Sequence, residues 1–515
     1  MGSMESGRFV ALLAPLSLLL VASLRGCTAY GGGELTRGSF PEGFVFGTAA
    51  SAYQYEGAVK EDGRGQTIWD TFAHTLGKIS DFSNADVAVD QYHRFEDDID
   101  LMADMGMDAY RFSIAWSRIF PNGTGQVNQA GIDHYNKLID ALLSKEIEPY
   151  VTLYHWDLPQ ALEDRYKGWL NRTIVEDFAV YAETCFKAFG DRVKHWITLN
   201  EPHTVATMGY DTGLEAPGRC SVLLHLHCRS GDSHTEPYIV GHNFILAHAT
   251  VADIYRRKYK ATQRGQLGIA LNVVWYEPMT NTRTDIEAAK RAQEFQLGWF
   301  VDPFFFGDYP ESMRARIGDR LPKFTADEAA LVKGSLDFVG INHYTTHYTM
   351  DSNTVSSTAM GLLLDGTMAD TGAVSVPFDI KNPTGDRANS LWLYIVPWGM
   401  RKVMNYVKER YKSPPVYITE NGMDDSNNPL IPKEEALKDS KRIKYHHDYL
   451  TNLAASIKED GCDVRGYFVW SLLDNWEWIA GYTSRFGLYF VDYENNLERC
   501  PKSSVQWFKT LLRSS

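Results

Sequence analysis

The chain has 515 residues, of which 44% are hydrophobic and 23% are charged, a composition typical of a globular protein. Its formal net charge is -14. This charge argues against nucleic acid and against a membrane surface as partners, because both are anionic and would repel the protein. No pair of Cys and His residues has the spacing of a zinc site, so we predict no metal and no cofactor.

The N-terminus is predicted to be a secretory signal peptide. Arg8 precedes an apolar run over residues 9–24, and small residues follow around Ala29, where we place the cleavage. The run is too short to span a bilayer comfortably as a permanent anchor. We therefore predict a signal peptide over 1–29, a mature domain over 30–515, and a location in the secretory pathway, either extracellular or vacuolar.

Two kinds of residue fit that location. Asn122 and Asn171 each begin a sequon for N-glycosylation. Cys220 and Cys228 bracket a short loop and are predicted to form a disulfide in an oxidising compartment. Cys27 would leave with the signal peptide. The other cysteines are predicted to be buried thiols: Cys185, Cys462 and Cys500.

Eight short segments rich in apolar, β-branched and aromatic residues follow, as is typical of parallel strands buried on both faces. They cover 44–50, 109–114, 149–155, 196–200, 267–274, 338–342, 416–420 and 465–471. Helical patterns lie between them, among them 90–105, 132–144, 175–189, 286–298, 398–411 and 440–459. His446 and His447 are expected on a solvated face of the last of these helices.

This alternation predicts the α/β class, as a single (β/α)8 TIM barrel. Such a barrel typically needs about 250 residues, so the surplus must form long insertions in the βα-loops. The longest gaps follow the fourth strand, over 203–266, and the sixth, over 345–415. Insertions at those strand ends are expected to build the walls of an active site.

Two of the predicted strands end on a glutamate. Glu201 closes the fourth strand and is followed by Pro202, and Glu420 closes the seventh, just before Gly422. A carboxylate at the end of a buried strand is costly to bury and needs a reason. Two such groups suggest the acid and the nucleophile or base that glycoside hydrolysis requires. The alternative is a pair of structural ion pairs in surface loops.

Other strands also end near polar or aromatic groups, and the fifth alone lacks an obvious one. These groups are Gln54, Arg111, His155, Asn200, Asn342 with Tyr344, and Trp470 with Glu477 and Trp478. Each could be an ordinary satisfied polar group. Their convergence at one rim of one barrel instead favours an active site, because barrel enzymes place their chemistry at that rim.

The motifs around these residues resemble those of glycoside hydrolase family 1, and within it the plant β-glucosidases, from residue 40 to the C-terminus. The strings that carry the resemblance are FPEGFVFGTAASAYQYEG (40–57), RFSIAWSR (111–118), HW (155–156), NEP (200–202), APGRCS (216–221), YITENG (417–422) and WSLLDNWEW (470–478). Two positions depart from the usual pattern, since Leu199 and Trp476 stand where phenylalanine is common.

The resemblance implies a retaining β-glucosidase that removes terminal β-D-glucosyl residues from a small glucoside or an oligosaccharide by double displacement. Glu201 would be the general acid/base and Glu420 the nucleophile, held ionised by Arg111 and Tyr344. Burial and the charge of Glu420 should raise the pKa of Glu201. The implied glucose pocket contains Gln54, His155, Asn200, Trp470, Glu477, Trp478 and Phe486.

The resemblance also makes Trp392 a platform for the aglycone, the alternative being a core tryptophan in a helix. Two other functions stay open. One is a transglucosidase, which shares the first half-reaction, and the other is a non-catalytic sugar-binding barrel. Neither the natural aglycone nor the oligomeric state can be inferred from the sequence.

Overall fold

The structure is a computed structural model that describes residues 35–221, 228–354, 366–379 and 383–513. Eight parallel strands form a closed barrel, each paired with its neighbours and the eighth with the first. They are Val45–Ala49, Ala109–Ser113, Glu148–Tyr154, His195–Asn200, Gln266–Asn272, Phe338–Asn342, Val416–Asn421 and Val464–Val469. Helices alternate with these strands along the chain, so the predicted (β/α)8 barrel is confirmed.

The predicted strands and the six predicted helices lie within a few residues of the observed ones, apart from 286–298. The longer helices are Gln91–Met105, Gln129–Ser144, Thr173–Phe189, Glu236–Lys258, Arg283–Gln293, Trp299–Phe306, Trp398–Tyr411, Ser440–Lys458 and Ser503–Arg513. The single helix predicted over 286–298 is a helix that ends at Gln293 and continues as a π-helical turn, Glu294–Gly298.

Shorter elements occupy the loops. The short helices are Ala52–Tyr55, Ile68–Ala73, Trp116–Ile119, Gln160–Tyr166, Pro202–Thr204, Lys260–Gln263, Glu311–Ile317, Ala326–Val332, Gly366–Thr371 and Lys433–Ala436. A three-stranded sheet contains Trp275–Pro278, Thr346–Asp351 and Ala373–Val376. Its strands come from the chain after the fifth and sixth barrel strands, so two βα-loops form a structured insertion beside the rim.

Local sequence signals explain where several helices begin and end. Thr67 precedes the helix Ile68–Ala73, and its side chain accepts from the backbone N–H of Asp70 while Asp70 accepts from that of Thr67. This capping box satisfies two free N–H groups of the first turn. The helix Gln91–Met105 ends at Gly106, whose φ of +79° is a conformation that glycine adopts without strain.

Aromatic rings fill the barrel interior near the beginnings of the strands. Tyr150 stacks on His195 with centroids 4.0 Å apart, and it meets Phe468 at 4.8 Å and Tyr417 at 5.6 Å. Phe338 packs against the edge of Tyr417 at 5.1 Å. Because this end is filled by side chains, an open site can exist only at the other end, where the strands finish.

Glycines on neighbouring strands make room for two of these rings. A Cβ placed at Gly47 would lie 2.5 Å from the ring of Phe468, and one at Gly268 would lie 2.6 Å from that of Phe338. These contacts are shorter than van der Waals contact, so an alanine would displace the ring. The glycines therefore allow the close packing that seals this end of the barrel.

The predicted disulfide is present between Cys220 and Cys228, with their Cα atoms 5.7 Å apart. Both cysteines are buried, while the loop between them, 222–227, lies outside the described residues. Cys185 and Cys462 are buried as predicted, but Cys500 is only half-buried. It belongs to the two-stranded sheet formed by Tyr489–Asp492 and Glu498–Pro501 near the surface.

The expectation that both neighbouring histidines face solvent is wrong for one of them. His447 is exposed, but His446 is fully buried, with Nδ1 2.8 Å from the hydroxyl of Tyr467 on the eighth barrel strand. Adjacent residues of a helix point about 100° apart. One of the two therefore faces the barrel and the other faces water.

Three remaining expectations concern location. The proposed signal peptide lies outside the described residues. Asn122 and Asn171 are both exposed, as glycosylation would require. Within the described ranges no helix is both long and apolar enough to cross a membrane.

Candidate active site

Glu201 stands where the fourth barrel strand turns into a short helix. Its φ of +45° is left-handed, and Pro202 begins the helix directly after it. This turn directs the side chain over the rim of the barrel. One carboxyl oxygen accepts from Nδ2 of Asn342 at 2.7 Å, and the other accepts from the hydroxyl of Thr204 at 2.8 Å. Both partners are neutral.

Glu420 lies near the end of the seventh barrel strand, and its partners differ from those of Glu201. The register with the sixth strand shifts between Ile418 and Glu420, a local irregularity that re-aims a side chain. The guanidinium of Arg111 forms an ion pair with one oxygen of Glu420. The hydroxyl of Tyr344 donates to the other oxygen at 2.7 Å. Both partners donate to Glu420, and one of them is a cation.

Arg111 connects two sides of the site while being fully buried itself. Besides Glu420, its guanidinium donates to Oδ1 of Asn200 at 2.6 Å and to the carbonyl of Thr419 at 3.1 Å. It does not line the pocket. Its contribution is therefore to hold Asn200 and Glu420 in place and to supply positive charge behind them.

The pKa of Glu201 is raised to about 7. Burial is the largest cause, and the negative charge of Glu420 is the second, as predicted. The hydrogen bonds from Asn342 and Thr204 and the charge of Arg111 oppose this rise. The result is a carboxyl that holds a proton near neutral pH, which is the state a general acid needs.

A third buried carboxyl, that of Glu477, also lines the pocket. Glu477 accepts from Nε1 of Trp470 at 3.2 Å and from Nε2 of Gln54 at 3.2 Å. Burial raises the pKa of Glu477 to about 8. Gln54 is fully buried behind Glu477 and also donates to the backbone carbonyl of Trp476 at 3.0 Å. It therefore orients Glu477 and does not line the pocket itself.

His155 and Asn200 form a polar pair between these carboxyls. Nδ2 of Asn200 donates to Nε2 of His155 at 3.0 Å. Burial, and then the charge of Arg111, lowers the pKa of His155 well below its usual value. The ring is therefore neutral, and Nδ1 of His155, which has no hydrogen-bond partner among the described residues, can bond to a ligand.

These residues surround one cavity of about 480 Å³, within the size range of ligand pockets. Ten of the twelve sequence-predicted site residues line it, all except Gln54 and Arg111. They are His155, Asn200, Glu201, Tyr344, Trp392, Glu420, Trp470, Glu477, Trp478 and Phe486. Trp392 is 48% exposed at the mouth and meets the ring of Tyr344 edge to face, with centroids 5.7 Å apart. The alternative of a core helical tryptophan is therefore wrong.

The fifth strand does reach the site, contrary to expectation. It ends at Asn272, which lines the pocket and has Nδ2 3.4 Å from Nδ1 of His203. The predicted strand runs to residue 274, so Asn272 lies inside it and not at its end. A polar residue two positions before the end of a predicted strand was the signal that could have identified it.

Sequence reasoning also missed the wall formed by the chain after Glu201. His203, Thr204, Met208 and Glu215 all line the pocket. Thr204 could have been identified, since a residue three positions after Glu201 at the start of a helix lies beside it. Glu215 has no comparable signal, because it reaches the pocket only when the loop folds back.

The two unusual residues next to the site are accommodated within the core. Leu199 and Trp476 are fully buried. The indole nitrogen of Trp476 donates to the hydroxyl of Ser83 at 3.0 Å, and its ring packs edge to face against Tyr53 at 5.5 Å. Neither residue lines the pocket.

A barrel with two differently held carboxyls at its rim, and aromatic rings lining the cavity beside them, defines a glycoside hydrolase. The profile for Glycosyl hydrolase family 1 matches residues 36–515. The chain therefore belongs to this family.

Comparison with known proteins agrees with that assignment. The chain is 79% identical over 506 residues to Beta-glucosidase 6 of Oryza sativa subsp. japonica, covering 98% of this chain and 96% of the relative. It is 70% identical to Beta-glucosidase 40 of Arabidopsis thaliana, covering 94% of each. A mutant rice β-glucosidase, solved in a covalent complex with Glc from GA4GE, is 80% identical with a TM-score of 0.91, covering 93% of this chain and 100% of the other.

Proposed function

We propose that this chain is a retaining β-glucosidase in which Glu201 is the general acid/base and Glu420 is the nucleophile. The observation that carries the assignment is the different surroundings of the two carboxyls. Glu420 is paired with a guanidinium and a phenol, so it is ready to attack as a carboxylate. Glu201 has neutral partners and a pKa raised to about 7, so it carries a proton.

In the first step, a carboxylate oxygen of Glu420 would attack the anomeric carbon of the glucoside. The bond to the leaving oxygen breaks as Glu201 transfers its proton to that oxygen, giving a free alcohol and a glucosyl ester on Glu420. Arg111 and Tyr344 hold Glu420 in position for this attack. The gain from such positioning is largely entropic, because the reacting atoms are already aligned.

In the second step, water would attack the same carbon from the side of the departed alcohol. Glu201 is now a carboxylate and takes a proton from the water, while the bond to Glu420 breaks. Esterified Glu420 carries no charge, so one of the causes that raise the pKa of Glu201 is removed. The lower pKa suits its change from acid to base. The two displacements together retain the anomeric configuration.

The corner around Glu477 is the proposed glucose subsite. Its carboxyl faces the cavity beside His155 and the indole of Trp470. Sugar hydroxyls that donate to Glu477 would favour its ionised form and offset the effect of burial. Asn200, held by Arg111 at 2.6 Å, would bond to the sugar's 2-hydroxyl, where contacts strengthen in the transition state.

The mouth of the cavity would hold the aglycone. Trp392 presents a half-exposed ring there, and Met208, Val274 and Ile479 supply apolar surface. An aromatic or otherwise apolar leaving group would be desolvated against these side chains. The names of the relatives support β-glucoside cleavage, and the covalent glucose of the rice mutant supports a glycosyl–enzyme intermediate in the family.

The proposal includes a location in the secretory pathway, with cleavage of a signal peptide after Ala29. The disulfide between Cys220 and Cys228 supports it, because such bonds persist in oxidising compartments. The exposed sequons at Asn122 and Asn171 also support it. The mature enzyme would then be extracellular or vacuolar.

Trapping of the intermediate tests the assignment. A 2-fluoroglucoside with an activated leaving group should release one equivalent of that group and then inactivate the enzyme, because the fluorine slows the second step. Mass spectrometry of peptides should locate the 2-fluoroglucosyl label on Glu420, and Glu420→Gln should carry none. Proton NMR of 4-nitrophenyl β-glucoside hydrolysis should show β-glucose first. A label on another residue would contradict the proposal, as would α-glucose as the first product.

A further inference from the structure

Glu215 is a buried carboxyl in the pocket to which the mechanism above gives no role. It is 9% exposed and lines the cavity. No side-chain hydrogen bond or ion pair to Glu215 is present among the described residues. A largely buried carboxyl that opens only to the pocket can bond to a ligand there, and its burial favours the protonated form.

The backbone around Glu215 is held firmly, so its place in the wall is fixed. Its N–H donates to the carbonyl of Met208 at 3.1 Å, and the N–H of Arg219 donates to the carbonyl of Gly209 at 2.9 Å. The guanidinium of Arg219 is anchored in turn by Glu236 at 2.6 and 2.8 Å. The loop therefore closes back on the helical segment that begins after Glu201.

This wall lies on the leaving-group side of the pocket. Glu215 shares it with Thr204 and Met208, which follow the proposed acid/base in the chain, whereas the proposed glucose subsite is built around Glu477 at the end of the eighth strand. Glu201 acts electrostatically on Glu215. In the proposed mechanism Glu201 protonates the leaving oxygen, so a pocket group on which Glu201 acts is assigned to the aglycone side.

We propose that Glu215 is a specificity-determining residue that donates a hydrogen bond from its neutral carboxyl to an acceptor oxygen on the aglycone, and that rejects anionic aglycones once it is ionised. The inference rests on the proposed β-glucosidase function. It identifies the aglycone as an apolar body with an acceptor oxygen that reaches this wall.

The charges around Glu215 favour the neutral form over most of the working range. Burial, and then the charge of Glu201, raises the pKa of Glu215 to about 8, while that of Glu201 is about 7. Burial and the charge of Glu201 therefore both favour the protonated form of Glu215. A protonated carboxyl donates one hydrogen bond, whereas the ionised form only accepts.

The other titratable groups that line the pocket do not supply a positive charge that would favour the ionised form of Glu215. Burial lowers the pKa values of His155 and His203, so both rings are neutral. Tyr344 has a raised pKa and stays neutral, and Glu477 can add only negative charge. The positive charge of Arg111 is paired with Glu420.

A matched pair of substrates tests the inference. One is 4-(carboxymethyl)phenyl β-glucoside, and the other is its primary amide, which has nearly the same shape but no charge. The ratio of their kcat/KM values cancels the titration of Glu201, since both substrates need it equally. Between pH 6.5 and 9 the ratio of acid to amide should fall by about tenfold in the wild-type enzyme, because ionised Glu215 repels the acid.

Two variants complete the test. Glu215→Gln should give a ratio that stays within about twofold over the same range, because the amide cannot ionise. Glu434→Gln, which alters an exposed carboxyl outside the pocket, should keep the wild-type fall. A flat ratio in the wild-type enzyme would overturn the inference, as would an unchanged fall in Glu215→Gln. So would a wild-type enzyme that rejects the acid at every pH while Glu215→Gln accepts it.

Failure of the underlying function would look different, because 4-nitrophenyl β-glucoside would not be hydrolysed at all. If that substrate is cleaved but neither probe is, the inhibition constants of the two probes replace the ratio. The acid should then lose about tenfold in affinity relative to the amide between pH 6.5 and 9. An equal loss of relative affinity for the acid in Glu215→Gln would again overturn the inference, as would no such loss in the wild-type enzyme.

Discussion

Two neutral side chains limit the rise in the pKa of Glu201. Asn342 and Thr204 each donate to one of its oxygens, and both bonds lower the pKa that burial and Glu420 raise. Hydrogen bonds to the ionised form of a carboxyl stabilise that form. The working pH of the enzyme therefore depends on residues that do no chemistry themselves.

Thr204 allows this balance to be tested with nearly isosteric variants. Thr204→Val removes the hydroxyl that donates to Glu201 at 2.8 Å, so the pKa of Glu201 should rise. Because Glu201 must be protonated for the first step, the alkaline limb of the pH profile of kcat/KM should move upward by roughly half a unit to one unit. The profile is measured with a neutral aryl glucoside. Thr204→Ser keeps the hydroxyl and should leave the limb in place. A downward shift in Thr204→Val would contradict the account.

Residue types at strand ends were sufficient to predict most of the site. Glu201, Glu420, Arg111 and Tyr344 follow from strand ends and family motifs, and the structure brings them together. Glu215 could not be predicted, because its position depends on a loop that returns to the pocket. Nothing in the local sequence encodes such a long-range contact.

At the scale of elements, the loops after the strands build the pocket walls while the strands fix the reacting groups. The loop after the fourth strand carries Met208 and Glu215, and the disulfide between Cys220 and Cys228 lies at its far end. Gly213 packs so closely that an added Cβ would meet Sγ of Cys228 at 2.0 Å. The bridge therefore supports the segment that presents Glu215.

Removal of the disulfide should destabilise the protein, whereas replacement of Cys500, which forms no disulfide, should not. Its loop spans a sequence separation of 8 residues, for which loop-closure entropy gives about 2.5 kcal/mol. The double variant Cys220→Ser with Cys228→Ser should lower the apparent Tm, while Cys500→Ser should not. Alkylation of the unfolded, unreduced protein should spare Cys220 and Cys228. Labelling of both would show that the bridge does not form.

At the scale of the whole molecule, the pocket contains several buried carboxyls, which cost free energy to desolvate on folding. Burial raises the pKa values of Glu201 to about 7 and of Glu477 to about 8. Such groups bind more protons in the folded state than in the unfolded state. Their stabilising contribution is complete below the unfolded pKa of about 4.3 and is lost as the pH rises through the folded value. These two carboxyls should therefore contribute less to stability at pH 9 than at pH 5.

Glu477→Gln tests this linkage directly. The amide cannot ionise, so the variant should lose less stability than the wild-type protein between pH 5 and pH 9, by on the order of 1–3 kcal/mol. Thermal unfolding at both pH values gives the comparison as a difference in apparent Tm. The exposed control Glu434→Gln should follow the wild-type protein. An equal fall in Glu477→Gln and wild type would show that Glu477 is not the source.

The sequence by itself determined the barrel and its reacting groups. Short β-branched strands alternating with amphipathic helices leave few arrangements other than a closed parallel barrel. Because parallel strands end at one rim, Glu201 and Glu420 had to meet there. Strand periodicity and strand ends are local properties, and local properties can be read from a chain.

The tertiary structure alone decided what surrounds those groups. It placed Gln54 and Arg111 behind the pocket wall, buried His446 but not His447, and brought Asn272 and Glu215 to the cavity. Burial and the charge of a neighbour shift a pKa only once distant segments have packed together. The acidity of Glu201 and the presence of an unpartnered carboxyl beside it are therefore properties of the fold and not of any one segment.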